Sequence, residues 1–291
     1  LKLDKYAKKI AERLVFEIKN RLSFLSNVGL SYLTLERSSN TLSGGESQRI
    51  NLSTSLSSSL VGSMYILDEP SIGLHPYDTQ KLISVLHQLR DINNTVIVVE
   101  HDEEIMEKAD QIIDLGPDAG KNGGKIVYQG RLKNINKSKD SLTAKYLNGT
   151  LKIPVPNKRR IWEQMINLEG ICQNNIQNLD VNFPLNCLTL ITGVSGSGKT
   201  SLIKQVLYPG ISDYLGYCGK KMGSFKKISL NTNSLKQVEF IDQNPIGKSS
   251  RSNPVTYLKT FDDIRNLFAS QSLAKTRNYK SGFFSFNIDG G

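Results

Sequence analysis

Gly193-Val194-Ser195-Gly196-Ser197-Gly198-Lys199-Thr200 follows the apolar run Leu188 to Ile191 and has the spacing G-x-x-x-x-G-K-[ST]. Glycines at 193, 196 and 198 let the backbone curl until successive N–H groups aim at one point, and a helix beginning near Gly198 adds the positive end of its dipole there. Such a point suits a polyphosphate. In this pattern the Lys199 ammonium reaches the β- and γ-phosphate oxygens, the Thr200 hydroxyl takes one position on Mg²⁺, and Ser201 supplies a second hydroxyl beside it. A glycine-rich turn alone accounts for the glycines but not for Lys199 and Thr200. The stretch therefore reads as a nucleoside triphosphate site, with Gly193, Ser195, Gly196, Ser197, Gly198, Lys199, Thr200 and Ser201 as its candidate residues.

Working outward toward the N-terminus, three more stretches carry chemistry. Leu42-Ser43-Gly44-Gly45-Glu46 opens a helix through Ile50, Leu52, Leu56 and Leu60. Ser43 and Glu46 form a capping box, which explains the serine and glutamate but not two adjacent glycines, each costing roughly 1 kcal/mol against alanine in a helix. Close approach of bare backbone to a phosphate gives Gly44 and Gly45 a reason. Ser63-Met-Tyr-Ile-Leu67-Asp68-Glu69-Pro70 reads as a parallel strand buried on both faces with carboxylates at its carboxyl end, Asp68 placed for Mg²⁺ and Glu69 for an attacking water. Thr95 to Val99, then Glu100-His101-Asp102, repeats the plan, and His101 gains interest from the neighbouring carboxylates; alone it would read as a solvated or capping side chain. Pro76 to Leu89 between them reads as a helix with Leu82, Val85, Leu86 and Leu89 inward.

The chain of 291 residues carries a net charge of +10, unevenly spread: residues 1–150 hold 19 basic and 18 acidic side chains, residues 151–291 hold 18 and 9. Clusters at Lys158-Arg159-Arg160, Lys220-Lys221 and Lys226-Lys227 suit nucleic-acid phosphates, or a solvated basic face; no aromatic platform supports sequence reading. No run of 18 apolar residues is present and no signal peptide is recognisable, so a cytoplasmic protein without membrane contact is expected. Cys172, Cys187 and Cys218 are far apart, which argues against a disulfide framework or zinc site, and Cys187 reads as a small buried hydrophobe.

Residues 3–25 read as an amphipathic helix, with Leu3, Tyr6, Ile10, Leu14, Ile18, Leu22 and Leu25 on one face requiring a partner surface. A short helix at Glu103 to Ala109, a strand at Gln111 to Leu115 and a hairpin at Lys125 to Gln129 follow. Pro154, Pro156 and the basic triplet mark residues 149–160 as a linker between segments 1–148 and 161–291. Beyond it, Trp162 to Glu169 and Asn178 to Phe183 read as strands leading into the phosphate-loop strand. Val238 to Asp242 reads as another strand and residues 260–269 as a helix. A start at Leu1 rather than methionine suggests a fragment.

Phosphate loop, Gln243, LSGGE, strand carboxylates and His101 together resemble the motifs of an ABC-type ATPase, although LSGGE and the carboxylates here precede the phosphate loop. The resemblance implies an α/β fold of P-loop ABC-type ATPase halves, mixed sheets flanked by helices with a helical signature region: the back of one ATPase domain (1–148) joined to the front of a second (161–291). LSGGESQRINL from Leu42, YILDEPSIGLHP from Tyr65, NTVIVVEHD from Asn94, DLGPDAG from Asp114, TGVSGSGKT from Thr192, IDQNPIGKSSRSNPVTY from Ile241 and Tyr32-Leu-Thr-Leu35 are similar to the UvrA family, tandem ATPases that recognise DNA damage in bacterial nucleotide excision repair.

That resemblance implies Lys199, Thr200 and Gln243 at the second domain's nucleotide, with Ser43, Gly44 and Gly45 as its opposite lid. Asp68, Glu69 and His101 then serve the first domain's nucleotide, Glu69 and His101 as catalytic groups. Thr200, Asp68 and Gln243 bear on Mg²⁺. It further implies ATP, zinc held only in the full-length parent on Cys-x-x-Cys modules outside this chain, damaged double-stranded DNA, a UvrB-like helicase partner and a parent homodimer. A tandem ABC ATPase acting on a protein or ribosomal partner is the alternative. The two segments are expected to meet face to face, phosphate loop against LSGGE; a chimeric sheet would instead bring Lys199 to Asp68.

Overall fold

The computed structural model describes residues 4–42, 44–56, 61–217, 219, 221–230, 235–242 and 253–286. The chain divides into two compact units, Leu1–Gln237 and Val238–Gly291, and the linker expected at residues 149–160 falls within the first. Among the described residues no helix is long and apolar enough to cross a membrane.

The first unit begins with α1 (Lys5–Asn27), capped by the Asp4 carboxylate, which accepts from the Ala7 N–H at 2.7 Å. The apolar stripe is helical as its period requires, yet Tyr6, Ile10, Leu14 and Ile18 are exposed, and only the last turn, at Phe24 and Leu25, meets the core. α2 (Gly44–Leu56) packs on α1. β1 (Met64–Asp68) and β2 (Thr95–Val99) pair in parallel, Met64 opposite Thr95 through Asp68 opposite Val99, with α3 (Pro76–Asp91) as the crossover between them. His75 caps α3 by accepting from the Tyr77 N–H, and Pro76 sits in the first turn where its missing N–H costs nothing. Leu82, Val85, Leu86 and Leu89 are buried as their period predicts, against Val28, Leu30, Leu52 and Ile105 and the partly buried Tyr65, Leu67, Val96 and Val98.

The sheet departs from expectation on its other side. Met64, Ile66, Ile97 and Val99 are 61%, 68%, 44% and 55% exposed, so β1 is covered on one face rather than two. A parallel sheet is closed by helices on both faces, and α3 supplies only one of them. After α4 (Glu103–Lys108), β3 (Ile112–Gly116) pairs antiparallel with β4 (Lys125–Gly130), and Asp114 ties this ribbon to α5 (Leu142–Leu147) by accepting from Ser141 at 2.6 Å and Thr143 at 3.0 Å.

Further along, β5 (Met165–Gln173) lies antiparallel between β6 (Ile176–Pro184) and β7 (Lys227–Leu230). β5 runs past the expected end at Glu169 because Gly170, at φ 63°, takes up a register shift that another residue would resist. Wide π-type turns over Ser201–Leu207 lead into α6 (Tyr208–Tyr214), and Leu202, Val206 and Ile211 are buried together with Ile166, Leu168 and Ile171 of β5. Leu188 to Ile191 forms no ladder, with Leu188 and Leu190 100% and 84% exposed, so the strand expected before the phosphate loop is absent here. A strand exists only where a neighbour accepts its hydrogen bonds, and an apolar run does not guarantee one. Cys187 is likewise only half-buried.

In the second unit, Val238 to Asp242 is not a strand and Ile241 is 90% exposed. α7 (Pro254–Tyr257), α8 (Thr260–Ser270) and α9 (Ser272–Thr276) gather around aromatic contacts, Phe261 with Phe286 at 4.4 Å and Phe268 with Phe284 at 5.6 Å between ring centroids.

Candidate nucleotide site

The phosphate loop is built as its glycines dictate. Gly193, Gly196 and Gly198 have φ of 146°, 76° and 101°, values at which a side chain would be strained. Helical turns start at Lys199, which puts a helix N-terminus directly behind the loop, while within the loop the Ser197 N–H donates to the Val194 carbonyl at 3.2 Å. The Lys199 ammonium donates to the carbonyls of Gly193 at 2.6 Å and Val194 at 2.9 Å, holding the loop closed on itself. The Ser195 hydroxyl is buried and has no hydrogen-bond partner. A buried orphan hydroxyl, a cation held only by neutral carbonyls and a helix N-terminus fit the donor set a polyphosphate requires.

The tip of the β5–β6 hairpin braces this loop. Asn175 Nδ2 donates to the Gly196 carbonyl at 3.0 Å, and Asn174 Nδ2 donates to Ser201 Oγ at 2.8 Å and Gln205 Oε1 at 2.9 Å. A Cβ on Gly198 would lie 3.0 Å from Asn175 Oδ1, so the hairpin packs tightly on the loop there, at a backbone φ of 101° that already favours glycine. Sequence reasoning missed both asparagines; the available signal was an Asn-Asn pair between two strand-like runs, a hairpin turn with φ above zero at Asn174 (53°).

On its other side the loop meets residues of the first 100. A Cβ on Gly196 would overlap the Tyr32 ring, 2.4 Å from its Cγ, so ring and loop backbone lie in direct apposition. The Ser195 N–H donates to Asp78 Oδ2 at 3.4 Å, and Asp78, only 4% exposed, is also paired with Lys81 at 3.3 Å. Tyr32 donates in turn to Glu46 Oε1 at 2.5 Å, and Glu46 lies 3.5 Å from Arg37. Burial pushes the Tyr32 phenol up to about 12, the Glu46 hydrogen bond and charge adding to the rise while Arg49 and Arg37 pull against it. At neutral pH the phenol therefore keeps its proton and is the donor. Neither Tyr32 nor Asp78 carried a role on sequence grounds, because nothing local marks a contact made more than a hundred residues away.

The signature stretch is partly in view. Ser43 lies outside the described residues; Gly44 faces open space, whereas a Cβ on Gly45 would come within 2.9 Å of the Ile72 carbonyl. Gly45 thus admits the loop after β1, a local reason for a glycine that sequence reasoning did not supply. Gln48 donates to the Asp68 carbonyl, joining α2 to the end of β1. Gln243 also lies outside the described residues.

The carboxylates and the histidine form a separate group at the carboxyl ends of β1 and β2. His101 Nδ1 stands 3.9 Å from Glu69 Oε1, so two of the expected catalytic groups are brought together, and Asp68 ends β1 immediately before Glu69. Glu69 adopts φ 45°, unusual for a residue with a side chain and characteristic of positions held by their surroundings at functional sites. Glu100 staples the two tips, accepting from the N–H of Ser71 at 2.8 Å and of His101 at 3.0 Å; sequence reasoning gave it no part. Lys199 donates to its own loop rather than to Asp68, and the sheet of β1 pairs only with β2 among the described strands. The chimeric sheet therefore does not form; the phosphate loop abuts Tyr32 and Asp78 instead. Among the described residues no group of three or more His, Cys, Asp or Glu side chains could hold a metal ion by itself.

The chain is similar to "UvrABC system protein A" of Lactococcus lactis, at 53% identity over 284 residues, covering 97% of this chain and 30% of that protein. For the proteins of that name from Staphylococcus epidermidis and Clostridium perfringens the identities are 50% over 292 residues and 52% over 283, covering 100% and 97% of this chain and 31% and 30% of theirs. The crystal structure of UvrA2 from Deinococcus radiodurans superposes with a TM-score of 0.90 at 41% identity, covering 100% of this chain and 34% of that one. The chain thus spans under a third of the length of the curated relatives it matches. No family model matches it. A likeness of this extent assigns the α/β fold of P-loop ABC-type ATPases.

Proposed function

From its homology to UvrA proteins along nearly its whole length, we propose that this chain is the junction of the two nucleotide-binding domains of an ATP-hydrolysing DNA-damage recognition subunit. The observation that carries the reading is the seating of a phosphate loop against Tyr32 and Asp78, with Tyr32 bonded in turn to Glu46 of the signature helix, while Glu69 and His101 face each other at the tips of β1 and β2. One nucleotide belongs to the loop, where Lys199 and the loop N–H groups bind phosphate and Thr200 and Ser201 offer hydroxyls to Mg²⁺. The lid of that site is the start of α2, with Ser43, Gly44 and Gly45. The other nucleotide is served by Asp68 for Mg²⁺, Glu69 to polarise water and His101 beside it, its own phosphate loop lying outside this sequence. Bound Mg²⁺ neutralises the charge that develops between β- and γ-phosphates. Gln243 contributes to the Mg-nucleotide of the loop, and zinc modules, a UvrB-like partner and a homodimer belong to the full-length protein. Conversion of ATP to ADP alters how the two halves grip each other and hence the grip on DNA.

Damaged double-stranded DNA as the ligand is what the homology to UvrA proteins implies, and the basic excess after residue 150 supports contact with its phosphates. Lys158, Arg159 and Arg160 line an open cleft with Trp162, and Arg160 is oriented by donating to the Asn186 carbonyl at 2.9 Å. The expected result for the full-length protein is an affinity that falls linearly on a log–log plot against KCl. Neutralising the three residues together lowers that slope by about 2 to 3, at roughly 0.9 per phosphate contact. A flat titration, or an unchanged slope in the triple variant, removes this cluster from the DNA interface.

A further inference from the structure

We infer that Tyr32 is a positioning residue that couples the phosphate loop of the second half to the signature helix of the first, an inference resting on the reading of the loop as an ATP site. Two contacts on one side chain carry it. The ring lies directly on Gly196, where a Cβ would fall 2.4 Å from Cγ, 2.7 Å from Cδ2 and 2.8 Å from Cβ of Tyr32. The hydroxyl, at the far end of the same rigid ring, donates at 2.5 Å to Glu46, which is 7% exposed and stands three residues from Arg49, itself 3% exposed. Neither end is free to yield. The segment behind Tyr32 is pinned by Val28 and Leu30, 0% and 2% exposed in the core, and the Gly196 carbonyl is held on its other side by Asn175.

A phosphate entering the loop must recruit its N–H groups and draw Lys199 off the Gly193 and Val194 carbonyls, which shifts the backbone around Gly196. Because an aromatic ring neither bends nor compresses, that shift reaches the Glu46 carboxylate at the first turn of α2, the helix whose start forms the lid. Glycine is required at 196 for two reasons at once: its backbone lies at φ 76°, and the ring occupies the space of its side chain.

The test uses the full-length protein, with ATP affinity measured at equilibrium on a fluorescent analogue and hydrolysis measured in the steady state, for wild type, Tyr32→Phe, Glu46→Gln and the double variant. Tyr32→Phe keeps the ring on Gly196 and removes the hydroxyl, so affinity stays within about twofold while kcat falls on the order of tenfold, the equivalent of one hydrogen bond to a charged group. Glu46→Gln keeps a carbonyl oxygen able to accept from Tyr32 and so weakens the link without cutting it: kcat falls less than in Tyr32→Phe, and the double variant is no slower than Tyr32→Phe, since both changes act on the same link. Should Tyr32→Phe fail to fold, Glu46→Gln carries the same expectation of a kcat loss without an affinity loss. An unchanged kcat, losses that multiply in the double variant, or equal losses of affinity and kcat accompanied by a lower melting temperature each overturn the coupling. A wild type that binds no ATP at the loop fails at the earlier step and takes the inference down with the nucleotide reading, whereas the outcomes just named overturn the coupling alone.

Discussion

Lys199→Ala weakens ATP binding at the phosphate loop by at least on the order of a hundredfold. The Lys199 ammonium is satisfied by two neutral carbonyls, those of Gly193 and Val194, so moving onto phosphate oxygens exchanges neutral acceptors for charged ones. Hydrogen bonds to charged groups contribute about 1.5–3 kcal/mol each, and two of them account for the loss. The hairpin asparagines brace Gly196 and Ser201 independently of the lysine, so the loop keeps its support in the variant. Isothermal titration with Mg-ATP measures the affinity, and a melting curve shows that the fold survives. Undiminished affinity in a folded Lys199→Ala protein would sink the assignment of this loop.

Glu69→Gln lowers the hydrolysis rate at the carboxylate site by about 10²- to 10⁴-fold, the range of a general base, while ATP binding there remains. The amide matches the carboxylate in shape but cannot polarise water. The position argues for chemistry rather than packing: the residue sits at the end of a parallel strand, its backbone N–H donates to the Val99 carbonyl at 2.9 Å, and its side chain points to His101 while φ is held at 45°. Pre-steady-state phosphate release in the full-length protein, with the other nucleotide site silenced by Lys199→Ala, isolates this rate. Loss of ATP binding with unchanged turnover per bound nucleotide would give Glu69 a binding role instead.

Much of the site's chemistry is legible in the sequence because it is contiguous. The phosphate loop, the Asp68-Glu69 pair and the α3 core face are each set by residues a few positions apart, where backbone sterics and helical period act directly. Pairing partners are another matter. Leu188 to Ile191 has the composition of a strand and no ladder, and β1 has the composition of a doubly buried strand with Met64 and Ile66 exposed, since burial is conferred by what lies opposite. Tyr32 on Gly196, Asp78 on Ser195 and Glu100 between the strand tips are likewise invisible, each depending on where a remote segment comes to rest.

The hydrogen bond between Ser195 and Asp78 joins residues 117 apart in sequence, whereas β1, α3 and β2 form a contiguous parallel unit over residues 64–99. Contacts of such different span carry different closure entropies, and short-range units close first. Protection from solvent exchange should follow the same order: amides of α3 around Leu82 to Leu89 open only with the whole fold, and the Ser195 amide opens whenever the phosphate loop lifts from Asp78. Hydrogen–deuterium exchange in the full-length protein reads both, and equal rates at the two places would contradict this ordering. The clamp on the phosphate loop is therefore less protected than α3, and ATP, by slowing exchange there far more than in α3, would act as the last element of its folding.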